Sequence, residues 1–284
     1  MYHSEVKTIL QDTPITFKIE RRNIMNPLKK KKNYYIAMAA VALAILWSSP
    51  ACAHYPWVAM DKHTLGKNEA PLIRIGWGHK FPLDGFLKAD DLEEIFMLSA
   101  TGARIPVTPS SEAEFTTGAR LADGVYVVAA KRKASFYTKT IEGGKRQSKR
   151  GLANVVKCSW SIMSMKAIIH VGAGKGRVDV VAGHPLEIIP LANPGKLKVG
   201  DTLPVRILLN GKPHKGEVSV TYSGFSDGKD TFAATITTNE TGQATIKITT
   251  QGTWLLKTKH EMPYHQPEEC DVASYVATLT FEIK

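Results

Sequence analysis

Tyr275-Val276-Ala277-Thr278-Leu279-Thr280-Phe281-Glu282-Ile283, next to the end of the chain, decides the fold class. Tyr275, Ala277, Leu279, Phe281 and Ile283 recur at every second position, and a strand turns alternate side chains to opposite faces, so the five share one face. The same period runs through Val218, Val220 and Tyr222, through Ala244, Ile246 and Ile248, and through Trp254, Leu256, Thr258 and His260. Asn239-Glu240-Thr241-Gly242 reads as a turn of hairpin type. Short alternating segments punctuated by turn residues build sandwiches, because each strand buries one face and must soon turn back. The chain is therefore expected to be mainly β, with residues 184–284 forming an immunoglobulin-like β-sandwich.

Upstream, the alternation persists but is less regular. Ile73, Ile75, Trp77 and His79 share one phase of Leu72 to His79, and Gly124 to Ala130 and Lys166 to Val171 read as further strands. Asp90 to Met97 fits either one or two helical turns or a loop entering a strand. These segments predict a second sandwich-like β domain over residues 54–183. The three prolines between His184 and Pro194 mark a passage between the two. Lys139, Lys145, Arg146, Lys149 and Arg150 stand among Gly, Ser and Gln, a composition expected of a solvated, mobile loop rather than an anion-binding surface.

Residues 1–53 read as a leader outside the fold. Lys29 to Lys32, the apolar run Tyr34 to Trp47, and Ala51 and Ala53 follow the order of a secretory signal peptide over about residues 25–53, with translation starting at Met25 and cleavage after Ala53. The apolar run is shorter than the roughly 20 residues that span a bilayer, so no direct membrane span is expected after cleavage. The whole chain carries 37 Lys and Arg against 26 Asp and Glu. Eight of those cations and three of those acids lie in the leader, which leaves a mild excess of +6 and no case for nucleic acid. The expected location is periplasmic or secreted. In such an oxidising compartment Cys158 and Cys270, the two cysteines left after cleavage, are expected to form a disulfide.

Cleavage after Ala53 makes His54 the first residue, with a free α-amine beside its imidazole. Amine and ring Nδ1 can chelate one metal ion, and the amine's reference pKa of about 7.7–8.0 makes it available near neutral pH. A further histidine would complete three nitrogens, a set suited to Cu(II) or Ni(II). His79 and His260, each ending a strand, are the expected partners, with His265 a further candidate. Glu261 and Asp271 could act as oxygen ligands or orient a ring. His63, His170, His184 and His214 belong to no such constellation. Nothing in the sequence forms a nucleophile triad, a phosphate loop or a paired-carboxylate hydrolase site.

Ala53-His54-Tyr55-Pro56-Trp57, Gly78-His79-Lys80-Phe81-Pro82, Asp123-Gly124-Val125-Tyr126, Pro185 to Pro190 with Asn193-Pro194, Val199-Gly200-Asp201 and Tyr275 to Phe281 resemble a family of exported bacterial domains of unknown function. That family is NikM-like and associated with nickel or cobalt uptake. The resemblance implies a periplasmic protein of two β domains working beside the membrane components of a metal transporter. It supplies no catalytic residues. The leading expectation is a metal-binding protein, more a carrier than an enzyme, holding one nickel, cobalt or copper ion at His54 and another histidine. The alternatives are a structural or adhesive envelope module without metal and, less favoured, a copper-dependent polysaccharide oxidase, which needs an aromatic face drawn from Trp57, Trp77, Trp160 and Trp254.

Overall fold

The computed structural model describes residues 54–284, so the expectations for the leader lie outside the described residues. The main strands in chain order are β1 (Tyr55–Met60), β2 (Ile73–Gly78), β3 (Leu92–Ser99), β4 (Arg104–Pro106), β5 (Gly124–Thr140), β6 (Gly143–Lys145) and β7 (Val155–Val171). They continue as β8 (Leu186–Pro190), β9 (Thr202–Leu209), β10 (Glu217–Tyr222), β11 (Ala234–Thr237), β12 (Gln243–Lys247), β13 (Gly252–Pro263) and β14 (Val272–Ile283). The protein is mainly β. Ala89–Asp91 forms a single 3-10 turn that leads into β3, which settles the ambiguous stretch from Asp90 in favour of a strand.

The strands from β8 to β14 form an immunoglobulin-like sandwich. One sheet has the order β8-β9-β12 and the facing strands run β11-β10-β13-β14. In order of appearance these are the first, second and fifth strands against the fourth, third, sixth and seventh, the separation of A, B and E from C, F and G seen in immunoglobulin-like sandwiches, here with the fourth strand beside the third. The alternating residues fill its core: Val218, Val220, Ala244, Ile246, Ile248, Trp254, Leu256, Leu279 and Phe281 belong to one buried cluster. The turn at Asn239 forms, with Asn239 Oδ1 accepting from the N–H groups of Thr241 and Gln243. It is not the turn of a paired hairpin, because β11 pairs with β10 while β12 crosses to β9.

The two halves share a sheet. β14 pairs in parallel with β7, from Ser159↔Val272 to Ala167↔Thr280, so the larger sheet runs unbroken through β7, β5 and β3 to β4. Alternate residues of β7 then serve two cores. Met165, Ala167, Ile169 and Val171 pack with Ile73, Ile75 and Phe115 of a smaller five-stranded sheet that contains β1 and β2. Ile168, on the opposite face, packs into the immunoglobulin-like core. Strands β5 and β7 each run 17 residues, more than twice the segments that their apolar alternation marks.

The outer ends of these strands correct one expectation. The run from Lys139 to Arg150 is not a mobile loop. β6 pairs back on β5, Thr138 Oγ1 donates to Gln147 O at 2.7 Å, Lys149 forms an ion pair with Asp271, and Arg150 lies 3.4 Å from Glu269. Cys158 and Cys270 form the expected disulfide across 112 residues, with Cα atoms 4.9 Å apart. Closing so long a loop restricts the unfolded chain by about 4–5 kcal/mol in the chain-entropy account. The bridge and the ion pairs fasten this end of the sheet to the segment before β14.

Three histidines are structural. His63 Nδ1 donates to Ile168 O at 2.8 Å, His170 Nε2 pairs with Asn193 Oδ1 at 2.7 Å, and His184 is buried against Phe96. Burial lowers the pKa of all three, that of His184 to about 4. An unfolded chain protonates its histidines near 6.5 while the folded protein resists, so their contribution is complete above that pH and is lost as acid is added toward pH 4. The urea midpoint is therefore expected to fall between pH 6.5 and pH 4, and His184→Asn should flatten part of the slope. An equally steep decline in that variant would remove His184 from the account.

Candidate functional site

His54 stands immediately before β1, where pairing in the smaller sheet fixes its neighbour. Tyr55 pairs with Gly78 at the end of an antiparallel ladder, so the next residues outward, His54 and His79, face each other. Their ring centroids are 4.2 Å apart, and the His54 ring also stacks on Trp77 at 5.3 Å. Behind the pair, Tyr55 and Trp57 are buried with Phe81. Trp57 lies across Gly76, where a Cβ would come within 2.1 Å of its indole, and Trp57 Nε1 donates to Pro82 O. The loop after β2 is thereby held under the first strand.

Two carboxylates hold His79. Asp84 Oδ2 accepts from the backbone N–H of His79 at 2.8 Å and of Lys80 at 3.3 Å. It can approach because residue 78 is glycine, at φ +154° with Asp84 Oδ2 only 2.1 Å from where a Cβ would stand. The His79 N–H bond, more than any other influence, holds the Asp84 carboxyl below its usual range. Asp230, from the segment between β10 and β11, reaches His79 from the other half of the protein. Its Oδ2 lies 2.9 Å from His79 Nδ1, and its own backbone N–H donates to His79 O at 2.9 Å. A carboxylate oxygen accepts, so Nδ1 is the donor of this bond, and in the neutral tautomer of the ring that leaves the lone pair on Nε2. The His54 imidazole is pushed toward the neutral form, chiefly by partial burial and then by His79, against a smaller opposing pull from Asp84 and Asp230. Neutral rings are the ones that ligate metals.

The structure thus brings together His54 and His79 but not His260. The His260 ring lies 4.4 Å from that of His214 and 6.3 Å from Tyr275. His265 lies on Tyr264. Asp271 is taken up by Lys149 and by the N–H of Cys158, and Glu261 by Lys259 and Lys157. Among the described residues, no three His, Cys, Asp or Glu side chains converge closely enough to hold a metal ion. A third donor at His54 and His79 would have to be the α-amine, which exists only if the chain is cut after Ala53. Asp84 and Asp230 were missed in the sequence. Asp230 is 151 residues from His79, with no local pattern to link them, whereas Asp84 closes a Pro-containing turn and was within reach of a loop reading.

Among the described residues, the four tryptophans do not assemble into a flat aromatic face. Trp57 and Trp254 are buried, 0% and 1% exposed, and Trp160 packs on Tyr264.

A family model described as a domain of unknown function, DUF4198, matches residues 51–262. No curated protein matches the chain. Among solved structures, murine CEACAM1b is 10% identical with TM-score 0.20, over 81% of this chain and 98% of that one. The D0-D1 domain of intimin is 14% identical with TM-score 0.21, over 79% and 96%. The adhesin InvE of Yersinia pseudotuberculosis is 13% identical with TM-score 0.19, over 79% and 58%. Overlaps this slight add nothing to the strand topology and say nothing of function.

Proposed function

The chain belongs to the DUF4198 family, and from that premise we propose that it is a periplasmic metal-binding protein that carries one nickel, cobalt or copper ion toward the membrane components of a metal transporter. The observation that supports this reading is the approach of the His54 and His79 rings to 4.2 Å with Asp230 on His79 Nδ1. A carboxylate on the far nitrogen is the usual support of a ligating imidazole, since it fixes the tautomer and strengthens the donor. His54 would contribute its ring Nδ1 and its amine, and His79 its Nε2. Three nitrogen donors favour Cu(II) or Ni(II) over hard cations. The association with nickel or cobalt uptake is part of the proposal, as is the periplasmic location. A disulfide is consistent with that location, and among the described residues no helix is long and apolar enough to cross a membrane.

Native mass spectrometry of the secreted protein tests the reading. The expected result is a chain beginning at His54 that retains one transition-metal ion. Asp230→Ala, which removes the carboxylate from His79 Nδ1 and leaves both imidazoles in place, should lower affinity for Cu(II) or Ni(II) by about 10–100-fold. Unchanged affinity would show that His79 does not ligate. A mature chain that stays metal-free when offered both metals would instead favour a structural envelope module.

A further inference from the structure

The outer end of the long sheet carries a second surface. There β5 is flanked by β6 on one side and β7 on the other. One face is closed, with Phe136 and Trp160 packing on Tyr264 beside the disulfide. The other face and the turn are open. Tyr137 is 52% exposed, Ile141 at the turn 72% and Val156 at an irregularity in β7 56%. Tyr137 and Lys139 share a phase of β5, which Ile141 continues into the turn. Lys139, Lys145 and Arg146 surround them, all exposed and, among the described residues, without a carboxylate at ion-pair distance. The neighbouring cations Lys149, Arg150 and Lys157 are consumed by Asp271, Glu268, Glu269 and Glu261. The acid nearest in sequence, Glu142, accepts from Asn154 and stays exposed in the same turn, where its charge offsets part of that of Lys145 without an ion pair. The sequence thus leaves three cations and three exposed apolar or aromatic side chains on one tip, and the disulfide and β6 pairing hold it rigid.

We propose that this tip docks on the surface of an anionic lipid bilayer. The cations complement lipid phosphates, each worth about 1 kcal/mol near such a surface. Ile141, Val156 and Tyr137 are what distinguish a bilayer from an anionic polymer. A polymer needs only the charges, whereas aliphatic side chains held in water gain free energy where headgroups meet acyl chains. The tip needs little ordering on binding, because it is already paired and bridged. This surface uses none of the residues at His54 and His79 and stands whether or not they bind metal.

Vesicle sedimentation with the full mature chain tests the proposal, comparing phosphatidylglycerol mixed into phosphatidylcholine with phosphatidylcholine alone. Binding is expected to the anionic vesicles only and to weaken with salt. The triple variant Lys139→Glu, Lys145→Glu, Arg146→Glu should lose at least about a hundredfold in affinity, since a tenfold change follows from each 1.4 kcal/mol. Ile141→Ser with Val156→Ser, all charges kept, should lose about tenfold. The urea midpoint and the intact disulfide confirm that each variant folds. Absence of binding to anionic vesicles at low salt would overturn the proposal. So would equal binding by the triple variant, or binding by the serine variant undiminished and competed away by polygalacturonate, which would identify a polymer surface.

Discussion

One residue added ahead of His54 is expected to lower affinity for Cu(II) or Ni(II) by at least about a hundredfold, since losing the mere support of a ligand already costs about 10–100-fold. The addition leaves both imidazoles in place. It leaves the ladder from Tyr55↔Gly78 inward untouched, and with it the approach of His54 to His79. What it removes is the α-amine as a partner of the same residue's ring, converting a chelate of three nitrogens into two separate imidazoles. Isothermal titration of the chain beginning at His54, of the extended chain, and of the extended chain after a protease has trimmed it back to His54 gives the comparison. Full recovery on trimming excludes a folding defect. Equal affinity in all three would mean that metal is held by side chains alone. The observation that no three His, Cys, Asp or Glu side chains converge among the described residues argues against that result. His54→Ala cannot separate these cases, because it removes the ring and the stacking on Trp77 together.

The half of this site that lies in one sheet was legible in the sequence, and the half that crosses the protein was not. His79 follows the alternation of Ile73, Ile75 and Trp77, so its place on the buried-to-exposed edge of a strand could be read from period alone. His54 drew notice through the order of the leader, a covalent argument independent of the fold. Asp230 carries no such mark. It comes from a turn residue at φ +49° in the other half of the chain, and only the shared sheet sets that turn beside β2. His260 shows the converse failure. Its alternation with Trp254, Leu256 and Thr258 placed it at a strand end, but β13 runs on through His260 to Pro263, and there the ring meets His214 instead. The fusion of the halves through β7 and β14 was hidden for a similar reason. Strand alternation reports which face is buried and not which strand lies alongside, and a parallel pairing between residues 159 and 272 leaves no local trace. The basic loop misled because composition measures solvation, while its order comes from a disulfide and ion pairs with partners more than a hundred residues away.

Lys166→Met is expected to destabilise the protein by about 3–5 kcal/mol, because it strands a buried carboxylate. Lys166 sits on β7, on the Ile168 face that meets the immunoglobulin-like core, and its Nζ lies 2.8 Å from Glu187 Oε2 on β8. Both side chains are nearly inaccessible, 3% and 2% exposed. Glu187 also accepts from the backbone N–H groups of Ala182 at 3.0 Å, Gly183 at 2.8 Å and His184 at 2.9 Å, so it closes the passage between the two halves as well as pairing with the lysine. Burial alone would push Glu187 toward protonation; the Lys166 charge and hydrogen bond outweigh it and hold the pKa down. Burial also lowers the pKa of Lys166, against the pull of Glu187. Each charge is therefore tolerable only because the other is there. Adding Glu187→Gln to Lys166→Met should recover part of the loss, since the amide oxygen still accepts from backbone N–H groups without bringing a charge. Recovery should stop short of the original stability, because a single amide oxygen cannot accept all three N–H groups, and each orphaned donor costs about 1–3 kcal/mol. A double-mutant cycle by urea denaturation measures this, with a favourable coupling expected between the two positions. If Lys166→Met costs less than about 1 kcal/mol, Glu187 must reach water or take a proton, and the pair is not what joins β7 to β8. If the full cost appears while Cu(II) binding is unchanged, the join and the His54 site are energetically separate. Loss of both together would mean that the placement of Asp230 beside His79 depends on how firmly the two halves are held across β7.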